Sequence, residues 1–193
     1  MALSASTGFR LYGGIDVANQ VLLKIRIGNS QTLTHGELVR VNTSGFVVTC
    51  ATGESPAGVL VGFVDANGVP PHTAFWINNA GITISNDDTI VTSSTNTTRT
   101  DNFIYAQIQY DPAGTALWYN DADADLAATN LFQFYDVASG NQVTEATRSD
   151  ANGQVQLVSL DPDNDGNASK GLFRINESQF NAGLDTATAK NAA

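Results

Sequence analysis

Gly36-Glu-Leu-Val-Arg-Val41, Asn42-Thr-Ser-Gly45, Phe46-Val-Val-Thr-Cys-Ala51 reads as two β-branched runs around a turn with glycine in its last position. That is the signature of a β-hairpin. After the loop Thr52-Gly-Glu-Ser-Pro56 comes Ala57-Gly-Val-Leu-Val-Gly-Phe-Val64, nearly all apolar with glycine at 58 and 62. A strand buried on both faces and crowded by a neighbouring backbone has this composition, which places the core of a first lobe here. Asp65-Ala-Asn-Gly68 ends the run in a tight turn, and the same four letters recur at 150–153; this is shared turn chemistry rather than a duplicated domain.

Working outward, Val21-Leu-Leu-Lys-Ile-Arg-Ile27 puts Leu23, Ile25 and Ile27 on one side and Lys24 and Arg26 on the other, the period of a half-buried strand. Residues 1–20 carry Phe9, Leu11 and Tyr12 without helical or strand period and read as an extended arm. Ala74–Ile77 and Ile82–Ile84 are short apolar runs, and 92–102 is a polar connection. In Phe103–Tyr110 the side chains of Ile104, Ala106 and Ile108 share a face, and the turn Asp111-Pro-Ala-Gly114 predicts a hairpin with Thr115–Tyr119. Asp121–Ala128 is the one stretch with a helical look, acids first. Strands follow at Leu131–Val137, Gln154–Val158 and Gly171–Ile175. Trp76, Trp118, Tyr119, Phe132, Phe134 and Tyr135 fall at strand spacing and read as core or interface packing. The expectation is an all-β chain with little helix: sandwich or barrel lobes of short antiparallel strands. Its parts are an arm at 1–20, a first lobe at 21–91, a connection at 92–102, an acidic lobe at 103–180 and a loose tail at 181–193.

The composition agrees. Asp outnumbers Glu 15 to 4, there are only 3 Lys, and Thr, Asn and Ser together number 51 of 193 residues. These residues favour turns and strands over exposed helices. The net charge of −10 argues against a nucleic-acid partner. No apolar run approaches the ~20 residues of a membrane-spanning helix. Charge is uneven: residues 1–60 hold four bases against three acids, whereas 61–193 hold five against sixteen. A near-neutral first third suits docking, and an acidic remainder suits water. The opening residues lack a secretory pattern and Cys50 has no partner for a disulfide, so synthesis in a reducing cytoplasm is expected.

Reactive groups are sparse. His35 and His72 lie near no nucleophile motif, and Cys50 sits in an apolar strand, which points away from an enzyme. The sharpest local pattern is Asp161-Pro-Asp163-Asn-Asp165-Gly166, whose alternating carboxylates copy the opening of a calcium loop. The position six residues past the glycine, where such a loop places a bidentate Glu, is Leu172. Calcium at Asp161, Asp163 and Asp165 therefore competes with a solvated acidic turn.

The stretches Gly36-Glu-Leu-Val-Arg-Val, Gly45-Phe-Val-Val and Pro56-Ala-Gly-Val-Leu-Val-Gly resemble the hydrophobic β-hairpin region of capsid decoration (cement) proteins of tailed phages. Ile104-Tyr-Ala-Gln-Ile-Gln-Tyr-Asp-Pro112 and Gly171-Leu-Phe-Arg-Ile175 resemble the acidic β-lobe of such proteins in short-tailed marine phages. The resemblance is one of strand-and-turn pattern and carries no catalytic residues. It implies a virion protein, made in the host cytoplasm, that joins the outer capsid surface as a trimer or dimer and holds neighbouring major capsid protein subunits together. On that reading Phe9, Leu11 and Tyr12 anchor the arm on the shell, and Arg10, Lys24 and Arg26 steer it to an acidic surface. The rival expectation is a calcium-dependent adhesin or carbohydrate-binding β-module, including a fibre or tail-tip module, built on the Asp161–Gly166 turn.

Overall fold

The structure is a computed structural model that describes residues 8–13, 21–68, 82–85, 89–92, 104–110, 116–138, 141–150, 152–162, 166, 168–176 and 179. Among these residues fourteen strands and one 3-10 turn, Ala128–Asn130, make up the regular structure. In chain order the strands are β1 (Arg10–Gly13), β2 (Val21–Arg26), β3 (Thr32–Thr34), β4 (Leu38–Val41), β5 (Val47–Thr49), β6 (Gly58–Val64) and β7 (Ile82–Ser85). They continue as β8 (Thr89–Thr92), β9 (Tyr105–Tyr110), β10 (Leu117–Asp121), β11 (Phe134–Ala138), β12 (Gln142–Ser149), β13 (Val155–Leu160) and β14 (Lys170–Ile175). The all-β expectation is met.

Three antiparallel sheets result. One has five strands in the order β2-β9-β6-β4-β5, one has three in the order β3-β8-β7, and one has six in the order β1-β10-β14-β13-β11-β12. The hairpin read from residues 36–51 is present: β4 pairs with β5, and the Asn42 side chain holds the turn by accepting from the amides of Ser44 and Phe46. Gly58 meets the backbone crowding expected of it. A Cβ there would collide with the Gln109 carbonyl oxygen and lie 2.8 Å from Ile108 Cγ2.

The five-stranded sheet curls toward closure. Ile27, just past β2, forms a parallel bridge to Val47 of the opposite edge strand, and the Gly28 amide donates to the Val47 carbonyl at 2.8 Å. Buried Thr92 ties β8 to the same corner: its hydroxyl donates to Gly28 O at 2.7 Å and accepts from the Gln31 amide at 2.9 Å. Inside lie Ile27, Leu33, Val39, Val47, Leu60, Ile90, Ala106 and Ile108, with Leu23 and Ile25 packed against them, as the period of β2 requires.

The six-stranded sheet closes in a related way. Ala122 bridges Val143 of β12, and the Asp123 amide donates to the Val143 carbonyl at 2.9 Å. The same edge of β10 also carries β1, paired as Arg10 with Tyr119 and Leu11 with Trp118. Its core, Trp118, Tyr135, Val137, Val143, Val155, Leu157 and Phe173, also takes in Leu38, Cys50 and Val59 from the other body.

Three expectations are corrected. The 103–119 hairpin does not form: both edges of β9 are taken by β2 and β6, and β10 lies between β1 and β14, so neither has an edge for the other. For the same reason β9, expected in the acidic lobe, belongs to the first sheet. The helix at Asp121–Ala128 is absent because its amides bond elsewhere. Those of Ala122, Asp123 and Leu126 donate to Ser169, Val143 and Ala168, which leaves no i→i−4 ladder. Strands β1, β3, β8 and β12 were not anticipated. β3 and β8 are short and Thr-bounded, with Leu33 and Ile90 buried, and β12 buries Val143 alone among its side chains while backbone pairing does the rest. Ala74–Ile77 and 181–193 lie outside the described residues.

Gln154 fastens the two bodies. It is fully buried; its Oε1 accepts from the Val137 amide at 2.7 Å, and its Nε2 donates to the carbonyls of Ala51 at 3.0 Å and Glu54 at 2.7 Å. Replacing Gln154 with Leu takes this acceptor from the buried Val137 amide, at about 1–3 kcal/mol when no water reaches it, whereas Ala51 O keeps the Glu54 amide and Glu54 O keeps the Cys50 thiol. Gln154→Leu should therefore lower unfolding stability by about 1–3 kcal/mol in denaturant titration.

Candidate functional site

The residues expected to meet a partner fall into two groups on different sheets. The first is β1 and its lead-in. Gly36, with φ +88°, turns its backbone toward Gly8 and Phe9; a Cβ there would stand 3.2 Å from the Phe9 nitrogen. The Phe9 amide donates to the Gly36 carbonyl at 2.8 Å, and its ring meets Phe173 edge-on at 6.5 Å between centroids. Phe9 is 1% exposed, so the expectation that it anchors the arm on another protein is corrected: its apolar surface is already consumed by the chain's own core. Leu11 is half-buried against the same core. Arg10 and Tyr12 remain outward. The Arg10 guanidinium lies 5.5 Å from the centroid of the Tyr119 ring, which Lys170 Nζ also approaches at 5.8 Å. The Tyr12 hydroxyl donates to Pro162 O at 3.1 Å.

The second group is the outer face of β2. Pairing aligns Leu22 with Gln109, Lys24 with Gln107 and Arg26 with Tyr105, all pointing away from the barrel interior. Leu22 is 58% exposed. Lys24 donates to Ala66 O at 2.6 Å and stands 4.7 Å from the Tyr105 ring centroid; Arg26 lies 5.7 Å from that of Phe46. These contacts flatten the long cations onto aromatic faces, giving a surface both apolar and positive. Leu22 was overlooked in the sequence because its neighbours Leu23 and Ile25 carry the apolar stripe.

Asp161 is held in a turn of its own. It has φ +34°, donates its amide to Lys170 O at 2.9 Å and accepts the Gly166 amide on Oδ2 at 2.8 Å. Asp163 and Asp165 lie outside the described residues, and among the described residues no three His, Cys, Asp or Glu side chains cluster as a metal site would. Cys50 is fully buried, donates to Glu54 O at 3.3 Å and receives Gln154 Nε2 at 3.3 Å. Burial, with the Glu54 charge second, pushes its thiol up to about 12, which leaves almost no thiolate at neutral pH. His72 lies outside the described residues, and His35 is exposed.

Comparison of the chain with protein-family models, with curated proteins and with solved structures returns no match.

Glu37, beside the Gly36 that docks Phe9, is 6% exposed, and its Oε2 is buried without a hydrogen-bond partner. Burial outweighs a backbone hydrogen bond at Thr34 and raises its carboxyl from the ordinary 4.5 to about 7. Below pH 4.5 the group is protonated in both the folded and unfolded states and costs nothing. Between 4.5 and 7 the unfolded chain has released the proton that the native state keeps, so stability falls as pH rises. Above that range the penalty is constant, on the order of 3 kcal/mol. The melting temperature of Glu37→Gln relative to the parent should therefore climb across this window and then level off, as followed by calorimetry at a series of pH values.

Proposed function

We propose that this chain is a structural adhesion protein that binds the outer surface of an icosahedral phage capsid and cements neighbouring major capsid protein subunits, acting as a homo-oligomer. The observation that carries this reading is the outer face of β2, where exposed Leu22 is followed along the strand by Lys24 and Arg26, each laid over an aromatic ring. An exposed apolar side chain beside a row of two cations fits an acidic protein surface: the apolar part supplies contact area and the cations guide encounter. Residues 61–193, with sixteen acids against five bases, suit the side turned to water. The pattern resemblance to tailed-phage decoration proteins points the same way. With Phe9 committed to the chain's own core, the exposed contributors from the N-terminal segment are Arg10 and Tyr12.

Substituting Leu22→Asp with Lys24→Glu changes only outward side chains and should leave folding intact by circular dichroism. Mixed with purified empty shells of the phage that encodes the chain, the double variant should show at least ~10-fold lower occupancy by electron microscopy, the equivalent of about 1.4 kcal/mol per site. Undiminished occupancy would remove the β2 face from the reading; parent chain that leaves the shells bare would remove the reading itself.

A further inference from the structure

Asp-Ala-Asn-Gly stands at 65–68 and again at 150–153, and these stretches hold the two Asn-Gly steps of the chain. Such a step carries chemistry of its own. The glycine nitrogen can close a five-membered ring on the asparagine side-chain carbon, and the missing Cβ leaves its approach open. The fold holds the two copies in opposite ways.

At the first copy Ala66, Asn67 and Gly68 are all exposed. Asp65 Oδ1 accepts the Asn67 amide at 2.8 Å, and the Gly68 amide donates to the Asp65 carbonyl at 3.1 Å. Gly68 has φ +83°, and a Cβ built on it would meet nothing within 4 Å. The attacking nitrogen is thus held by an exposed turn bond, of the kind that opens locally without disturbing a core. At the second copy Asn152 is exposed but Gly153 is buried. A Cβ on Gly153 would lie 2.6 Å from the Tyr135 nitrogen and 2.8 Å from the Tyr135 carbonyl oxygen. The Gly153 carbonyl accepts Asn176 Nδ2 at 3.1 Å, and the next residue is the buried Gln154 that fastens the two bodies. Ring closure there has to pull backbone away from β11, so it waits on a much larger opening.

We propose that Asn67 is a site of self-modification whose co-reactant is water. The Gly68 nitrogen, its proton lost to solvent, bonds to Asn67 Cγ; the Cγ–Nδ2 bond breaks and ammonia leaves, forming a succinimide. Water then opens the ring at either carbonyl and yields aspartate or isoaspartate, one negative charge more than before. Lys24 Nζ donates to the Ala66 carbonyl at 2.6 Å, so the new charge arises one residue from the contact that holds Lys24 on the face of β2. That charge lowers the attraction of this face for an acidic surface, a consequence that rests on the cementing reading, whereas the site does not.

In folded protein kept in mildly alkaline buffer, peptide mass spectrometry should find Asn67 converting at least ~10-fold faster than Asn152. Unfolding in guanidinium chloride should bring the two rates together, because the local sequences match. Asn67→Gln, which would need a six-membered ring, should suppress conversion at this position. Asn67 that survives as long as Asn152 in the folded chain overturns the inference, and so does a product free of isoaspartate, which marks hydrolysis without a ring. Converted chain, separated by ion exchange, should occupy empty shells about 2–5-fold less than intact chain at subsaturating concentration. Equal occupancy overturns the consequence for the β2 face and leaves the site standing. Shells left bare by both forms overturn the cementing reading and that consequence together, while the site is decided by the mass spectra.

Discussion

Leu38 and Val39 are neighbours in the chain and point to opposite sides of β4, yet both are fully buried. Val59 and Leu60 repeat the arrangement on β6. One face of these strands fills the barrel with Ile27, Ile90 and Ile108; the other packs under Trp118, Tyr135 and Phe173 of the six-stranded sheet. A strand sealed on both faces cannot be lifted from either side without exposing apolar surface, so the two β-bodies share one structural wall. Gln154 and the Phe9–Gly36 hydrogen bond complete the junction by satisfying polar groups that the same packing removes from water.

This wall determines which surfaces are left for a partner. Phe9 lies in the shared core, so the N-terminal segment begins, within the described residues, as a strand of the chain's own sheet rather than as a free arm. Among the described residues the large apolar side chains left outward are Tyr12, Leu22, Val91 and Phe132.

Much of the architecture was legible wherever side-chain period and burial coincide. The alternation in Val21–Ile27 and Ile104–Ile108, the Asn42–Gly45 turn and the continuous apolar run at 57–64 each specify a local outcome that the tertiary structure reinforces. Legibility failed where backbone pairing rather than side-chain pattern made the element. β12 has one fully buried side chain along its length, and β3 and β8, three and four residues long, bury Leu33 and Ile90 but are too short to show a period. The Asp121–Ala128 stretch looked helical because its acids match a helix dipole, but distant carbonyls of Ser169, Val143 and Ala168 claimed its amides first.

The candidate surfaces divide along the same line. Lys24 and Arg26 could be assigned to an outward face from the β2 period alone, since two residues on one side of a strand must share a surface. Phe9 and Phe132 could not be sorted, because an aromatic residue in an aperiodic segment is buried or exposed according to what the rest of the chain brings to it. The amino-acid order by itself determined the all-β class, the strands of strict alternation, the acidic balance and the basic stripe, since each depends on residues close together in the chain. Only the tertiary structure decided which strands became neighbours, that Phe9 turned inward and that Phe132 was held outward, because those outcomes depend on hydrogen-bonding edges and apolar partners contributed from far along the chain.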